Sequence, residues 1–338
     1  MVSQTSQEYN ELRTLITRAG LLEKRPAYYA VKVGYTLGLL GISLAILILV
    51  DNLWFQLLNA AFLGIVFSQI GFIGHDAGHN QIARTQRRND IIGLTVSLFL
   101  GMIRTWWVKK HNAHHGAPNT VGKDPDLEIP FIAFDEEQLM AKSGFMRFVG
   151  RYQAFYITPM LFLEGIGLRA ASIQSLLRGE KLKYGWFEPV LMLLHFVVYF
   201  ALLLSFLSPW HAFLFVVVHQ GILGIYLSTS FAPNHKGMMM WDEDDAPDFL
   251  RQQVLTSRNM TGSWFVDFWF AGLNYQIEHH LFPSMPRCNL REAQIIVRSF
   301  CEEHNIAYRE TFVLNSFWEI LVSLHQVGVS VRTKTAAV

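Results

Sequence analysis

The chain has 338 residues, of which 51% are hydrophobic and 16% charged, and its mean hydropathy is +0.24. That balance excludes a disordered chain and argues against a wholly water-soluble globule. The 28 Lys and Arg residues nearly cancel the 27 Asp and Glu residues, so no nucleic-acid partner is expected.

Residues 1–27 are polar, carry Arg13, Arg18, Lys24 and Arg25, and show no cleavable signal-peptide pattern. They form an amino-terminal segment ahead of a retained membrane helix. Residues 28–50, charged only at Lys32, and residues 53–74, with no Asp, Glu, Lys or Arg, are the first two spans. At about 1.5 Å per residue each crosses a hydrocarbon layer of about 30 Å. A central segment, 75–189, follows; its apolar stretches 91–103 and 154–163 are too short to span and are expected as helices at the interface or packed beneath the cytoplasmic portion. Residues 190–208 and 211–232 are the third and fourth spans. The joints Asp51-Asn52 and Pro209-Trp210 allow only tight helical hairpins.

Residues 233–338 read as a helical carboxy-terminal segment. There Asn289 and Glu292 have the offset of a capping box, and Leu290, Ile295, Ile296, Val297 and Phe300 are expected to share one face. Neither joint holds Lys or Arg, whereas the three other segments do. By the positive-inside rule both termini and the central segment face the cytoplasm. The expected fold is therefore an all-α integral membrane protein: four spans in two hairpins beneath a cytoplasmic helical cap, 28–232 enclosing the central segment 75–189.

Eight of the thirteen histidines fall in four clusters, each just past a span or within a predicted cytoplasmic segment. His75 and His79 (HDAGH) share a helix face at i and i+4. His111, His114 and His115 (HNAHH) place three imidazoles within five residues, His235 follows the fourth span, and His279 and His280 (QIEHH) lie further on. A single zinc takes about four ligands, so eight imidazoles suit two metal ions. Imidazole accepts iron, copper, zinc or nickel, so ligand type alone leaves the metal open. HExxH is absent, which removes the usual zinc-protease reading, and Glu278 beside His279 does not replace it. Cys288 and Cys301 are too few for a thiolate site. His195 and His219 lie inside spans and are expected to hydrogen-bond between helices. His211, His304 and His325 read as peripheral.

Iron held by imidazoles at the end of a membrane bundle can use dioxygen to attack an unactivated C–H bond, and the position at the headgroup level points to a lipid acyl chain. Trp106 and Trp107 beside Lys109 and Lys110 fit that interface. Arg84, Arg87 and Arg88 read as solvated charge or as contacts for a lipid or coenzyme A phosphate.

These residues resemble the membrane-bound fatty acid desaturases. The three histidine boxes match as HDAGH (75–79), HNAHH (111–115) and QIEHH (276–280), with NTVGKDPDLEIP (119–130) and GLNYQIEHHLFPSMPRCNL (272–290) around them. The resemblance covers most of 55–300. It implies two iron ions ligated by His75, His79, His111, His114, His115, His279 and His280, and a further ligand in His235. It also implies O2 as co-substrate and an acyl lipid, acyl-CoA or acyl-carrier substrate.

Gln276, where many desaturases have histidine, is similar to the front-end branch, which places a double bond between the carboxyl end and an existing one; its role as ligand or supporting group stays open. Asp76, Asp124, Asp126, Asn234 and Glu278 are candidates to support the ligands. No HPGG haem motif occurs and 27 residues precede the first span. A fused cytochrome b5 domain is therefore not expected, electrons come from a ferredoxin or free cytochrome b5, and a bacterial inner membrane is the expected setting. Two other readings remain: a hydroxylase or ketolase using the same ligands, and a metal or proton transporter, which would depend on His195 and His219.

Overall fold

In the computed structural model, which describes residues 4–336, the chain is mostly helical, with one two-residue parallel ladder and an isolated bridge between Thr120 and Trp241 among the described residues. Helix α1 (Gln4–Arg18) leads into α2 (Pro26–Leu49), α3 (Leu53–Gly78), α4 (Gln86–Leu100) and α5 (Arg104–Gly116). The short α6 (Glu136–Ala141) and α7 (Gly144–Gly150) precede α8 (Gln153–Leu161), α9 (Glu164–Leu177), α10 (Phe187–Phe206) and α11 (Pro209–His235). The remainder comprises α12 (Phe249–Leu255), β1 (Asn259–Met260), α13 (Trp264–Trp269), α14 (Gln276–Leu281), α15 (Leu290–Glu303), β2 (Glu310–Thr311) and α16 (Val313–Ala336). Helices α2, α3, α10 and α11 have the length and apolarity of membrane spans, which makes this an integral membrane protein.

Local chemistry sets the ends of the spans. Asn52 caps α3 by accepting from the Phe55 amide at 3.2 Å. The helix then runs past its apolar stretch to Gly78, and Asn80 closes it in the left-handed conformation at φ 57°. His75 therefore rides on the last turn of α3 rather than on a following segment. In the same way α11 continues to His235, beyond the expected end at 232.

The second joint also differs from expectation. Ser208 caps α11 through the His211 amide at 3.3 Å, and Pro209, whose fixed φ suits the first helical position, opens the helix. The connection is Leu207-Ser208, and Pro209-Trp210 belongs to the helix. Helix α2 packs along α3, whereas α10 packs chiefly on α4 and α11 on α3 and α9, so the second pair diverges beyond its joint.

The two short apolar stretches are halves of bent pairs. Gly101, at φ 65°, ends α4, and the chain turns by 110° into α5; α8 and α9 meet at 84°. The α8–α9 break leans on α11, where a β-carbon at Gly224 would lie 2.3 Å from the Phe162 carbonyl oxygen.

The capping box at Asn289 does not form. Its amide donates to the Leu21 carbonyl at 2.7 Å and its oxygen accepts from Arg25 Nε at 3.3 Å, so tertiary contacts to the amino-terminal segment take the side chain instead. The buried face of α15 is Leu290, Ala293, Val297, Phe300 and Cys301; Ile295 is exposed, one helical step off that face. This face joins Leu12 and Ile16 of α1 with Leu250, Val254, Ile277 and Leu281 in one core beneath the carboxy-terminal histidines.

Replacing Gly224 by alanine drives a methyl group into the Phe162 backbone, and overpacking of this kind costs about 1–3 kcal/mol. Gly224→Ala is expected to lower the thermal unfolding midpoint in detergent. Gly38→Ala, with nothing within 4 Å of its β-carbon, leaves the midpoint unchanged or higher.

Candidate metal centre

Four elements carry the clustered histidines to one place. The last turn of α3 supplies His75, and its cap residue is His79; α5 supplies His111, His114 and His115; the end of α11 supplies His235; and α14 supplies His279 and His280. Each is fixed locally. The α5 start is held by Glu188, which accepts from the Thr105 amide at 2.7 Å and from the Thr105 hydroxyl. The end of α11 is held by the fully buried Arg258, which donates to the Pro233 carbonyl at 2.6 Å and pairs with Glu319. In α14, Ile277 and Leu281 at i and i+4 enter the core while the Ile277 amide donates to Asn259 Oδ1 at 2.9 Å, which turns the two histidines the other way.

The imidazoles form two groups. Ring nitrogens of His75, His79, His111, His115 and His279 lie within 4.8 Å of one another, and those of His114, His235 and His280 do likewise. The groups adjoin, with the His115 and His280 rings stacked at 4.1 Å. All eight are buried except the half-buried His111, and Trp107 stacks on that ring at 4.7 Å.

In four of the rings one nitrogen faces a partner outside the group. His114 Nδ1 meets both Asp124 oxygens at 3.0 Å, His75 Nδ1 meets Asp76 at 3.3 Å, His235 Nδ1 meets the Thr256 carbonyl at 3.0 Å, and His280 Nδ1 meets Gln253 Oε1 at 2.9 Å. An acceptor at Nδ1 holds the proton there and leaves the Nε2 lone pair pointing inward, as a metal ligand requires. Asp76 is itself anchored by the buried Arg287, which also donates to the Phe72 carbonyl at 2.7 Å.

Asp126 lies 3.6 Å from His114 Nδ1 and pairs with Lys110. Burial opposes charge on Asp124, yet its hydrogen bond to His114 holds the carboxyl below its ordinary range.

The inward nitrogens supply the test of whether a metal fits. His75 Nε2, His280 Nε2 and both nitrogens of His115 and His279 are buried without a hydrogen-bond partner. His79 Nε2 and His111 Nε2 face each other at 2.8 Å, and His114 Nε2 faces His235 Nε2 at 3.3 Å. Buried polar atoms left unpaired are costly, and cations between these lone pairs would satisfy them. Burial, reinforced by neighbouring imidazoles, pushes the pKa values of His111, His115, His279 and His280 well below 6.5, which keeps them neutral and ready to ligate.

The remaining sequence candidates sort unevenly. Gln276 Nε2 lies 2.8 Å from His235 Nε2, and its oxygen accepts from Asn234 at 3.1 Å, so both adjoin the smaller group. Glu278 does not support a histidine: it accepts from Asn259 at 2.7 Å and from Tyr308 at 2.8 Å, and burial pushes its carboxyl up to about 7. Trp107 packs against His111 and over Gly78. His219 takes the expected role between helices, its Nδ1 meeting the Tyr199 hydroxyl of α10 at 2.7 Å, while His195 stacks on Tyr199 within α10 itself. Gln253, Thr256 and Arg287 escaped sequence reasoning; only the polar run around 251–259 and the conspicuous charge of Arg287 next to the third box hinted at them.

Residues 52–312 match the sequence profile of the family described as fatty acid desaturase. The chain belongs to that family. It is 28% identical to an acyl-lipid (9-3)-desaturase of Physcomitrium patens, over 95% of this chain and 63% of the relative. It is 29% identical to a Delta(6)-fatty-acid desaturase of Caenorhabditis elegans, over 98% of this chain and 77% of the relative. A Delta(8)-fatty-acid desaturase of Arabidopsis thaliana is 29% identical over 99% of this chain and 77% of its own length. The chain thus spans less than two thirds of the Physcomitrium desaturase and about three quarters of the other two.

The depressed histidines give a signed pH dependence in this desaturase-family chain stripped of metal. Unfolded histidines titrate near 6.5 while the buried ones stay neutral, so the unfolded state takes up protons as pH falls through that value. Stability present above it is then lost on acidification. Thermal unfolding of the chelator-treated protein is expected to show a falling midpoint from about pH 7.5 to about pH 5.5.

Proposed function

We propose that the chain is an oxygen-dependent di-iron fatty acyl desaturase of the front-end type, which introduces a cis double bond into a membrane-associated acyl chain. The observation that carries this reading is the division of eight imidazoles into two adjoining groups with lone pairs turned inward, in a chain of the desaturase family. His75, His79, His111, His115 and His279 would hold one iron, and His114, His235 and His280, with Gln276 beside them, the other. Iron bound there supplies the activation of O2 that removal of hydrogen from two adjacent saturated carbons requires.

The protein's own residues do the rest. Asp76, Asp124, Gln253 and the Thr256 carbonyl hold protons on the outward nitrogens and fix the ring planes. Trp107 and the burial of seven of the eight rings keep water from the inward nitrogens. Two electrons per turnover come from a separate donor, a ferredoxin or free cytochrome b5. The acyl group arrives on a lipid, coenzyme A or carrier protein.

The front-end reading draws support from the relatives named for positions 6 and 8, near the carboxyl end, and from Gln276 at the head of the third box. Both termini and residues 75–189 face the cytoplasm, as the positive-inside rule favours. The relatives are eukaryotic and lend no support to a bacterial inner membrane.

Expression in a host fed saturated and unsaturated fatty acids, beside a His279→Ala, His280→Ala control, tests the reading. Mass spectrometry is expected to find a new double bond on the carboxyl side of an existing one, absent from the control. A new bond in saturated chains alone removes the front-end assignment, and hydroxy or keto products make the chain a hydroxylase or ketolase of the same fold.

A further inference from the structure

Between α2, α3 and α4 lies a cavity of about 850 Å³ that takes no part in the metal centre: none of the eight histidines lines it. Its walls are Val33 and Leu37 of α2, Ile70 and Ile73 of α3, and Ile92 and Phe99 of α4. Polar charge is confined to one end, where Lys24, Arg84 and Arg88 form the rim, and no carboxylate lines the cavity. This end is the one at which α2 begins, α3 finishes and α4 starts, level with the histidines at the membrane surface. It is pinned there by Tyr29, whose hydroxyl donates to Gln81 at 3.0 Å.

The rim cations are free to bind an anion. Arg84 and Arg88 are exposed and make no hydrogen bond or ion pair within the protein among the described residues. Lys24 gives one N–H to the Ser284 carbonyl at 3.0 Å and retains others. From Arg88 to Phe99 the cavity follows α4 for about 16 Å into the apolar layer. Its outer lip, at Leu37 and Ile91, is exposed on the span surface where lipid chains lie.

An apolar slot open to the bilayer with three cations at its headgroup end fits a ligand with an acyl chain and a phosphate. Guanidinium groups grip phosphate and carboxylate alike in bidentate fashion, but a phosphodiester offers more oxygens to the three rim cations than a carboxylate does. We propose that this groove holds a membrane glycerophospholipid, its phosphate among Lys24, Arg84 and Arg88 and one acyl chain against Ile70, Ile92 and Phe99. The lipid is a resident of the α2–α4 groove, separate from the acyl chain that reacts. The proposal rests on the membrane setting and not on the iron chemistry.

Native mass spectrometry of the full chain, purified in detergent, stripped of lipid and titrated with palmitoyl-oleoyl phosphatidylglycerol, tests it. One phospholipid is expected per chain. Arg84→Gln with Arg88→Gln weakens it by about ten-fold or more, as does Thr95→Trp, which fills the slot from an exposed position. Diacylglycerol, glycerol phosphate and oleate each bind more weakly than the phospholipid, and this ligand panel decides the question on the unaltered chain even if a variant melts early. Equal binding by wild type and folded variants overturns the proposal, and so does oleate or glycerol phosphate matching the phospholipid. The His279→Ala, His280→Ala protein retains the lipid while losing product, so failure of the catalytic reading and failure of this one are told apart.

Discussion

Neutral imidazoles crowded nitrogen to nitrogen can hydrogen-bond only in pairs, one proton serving two nitrogens, so any nitrogen outside such a pair is left buried without a partner while burial opposes the charge that would add a proton. That constraint governs this molecule. Six ring nitrogens in the two histidine groups are buried without partners, and two further pairs face across 2.8 and 3.3 Å. An apolar protein interior could not hold such an arrangement at low cost without cations between the lone pairs. The rest of the structure is organised to keep those nitrogens inward.

The fold achieves this by bringing the ends of α3 and α11 together with α5 and α14. His75 and His235 stand on the final turns of two spans that pack closely, with Gly64 of α3 so near that a β-carbon would meet the His219 carbonyl at 3.0 Å. Two buried arginines bind the carboxy-terminal residues to those helix ends: Arg287 reaches Asp76 and the Phe72 carbonyl, and Arg258 reaches the Pro233 and Lys236 carbonyls. Breaking one partner of a buried pair of this kind costs several kcal/mol, about 3–5. Asn119, in the left-handed region at φ 51°, donates to the His235 carbonyl at 3.0 Å and joins the second box to the end of α11.

Much of this was legible in the residues. The four spans follow from length and absence of charge, and the desaturase boxes from their order and spacing. What escaped was set by contacts distant in sequence. The spans outrun their apolar stretches because a helix keeps its backbone bonds past the membrane edge until a stop such as Asn80 intervenes. The Asn289–Glu292 offset is right for a cap, but Leu21 and Arg25, more than 260 positions away, claim the side chain. Glu278 is next to His279 in sequence and yet faces Asn259 and Tyr308, because neighbours on a helix point about 100° apart. Gln253 and Thr256 support histidines from outside every box, and nothing in the motifs marks them.

Two separate iron ions, one in each histidine group, are what the proposed function requires. Anaerobic titration of the chelator-treated chain with ferrous iron, read as bound metal per protein, addresses that requirement most directly. Two equivalents are expected for the intact chain and one for the His235→Ala, His280→Ala variant, which keeps the five-histidine group. A single equivalent in the intact chain, or two retained by the variant, would contradict the proposal.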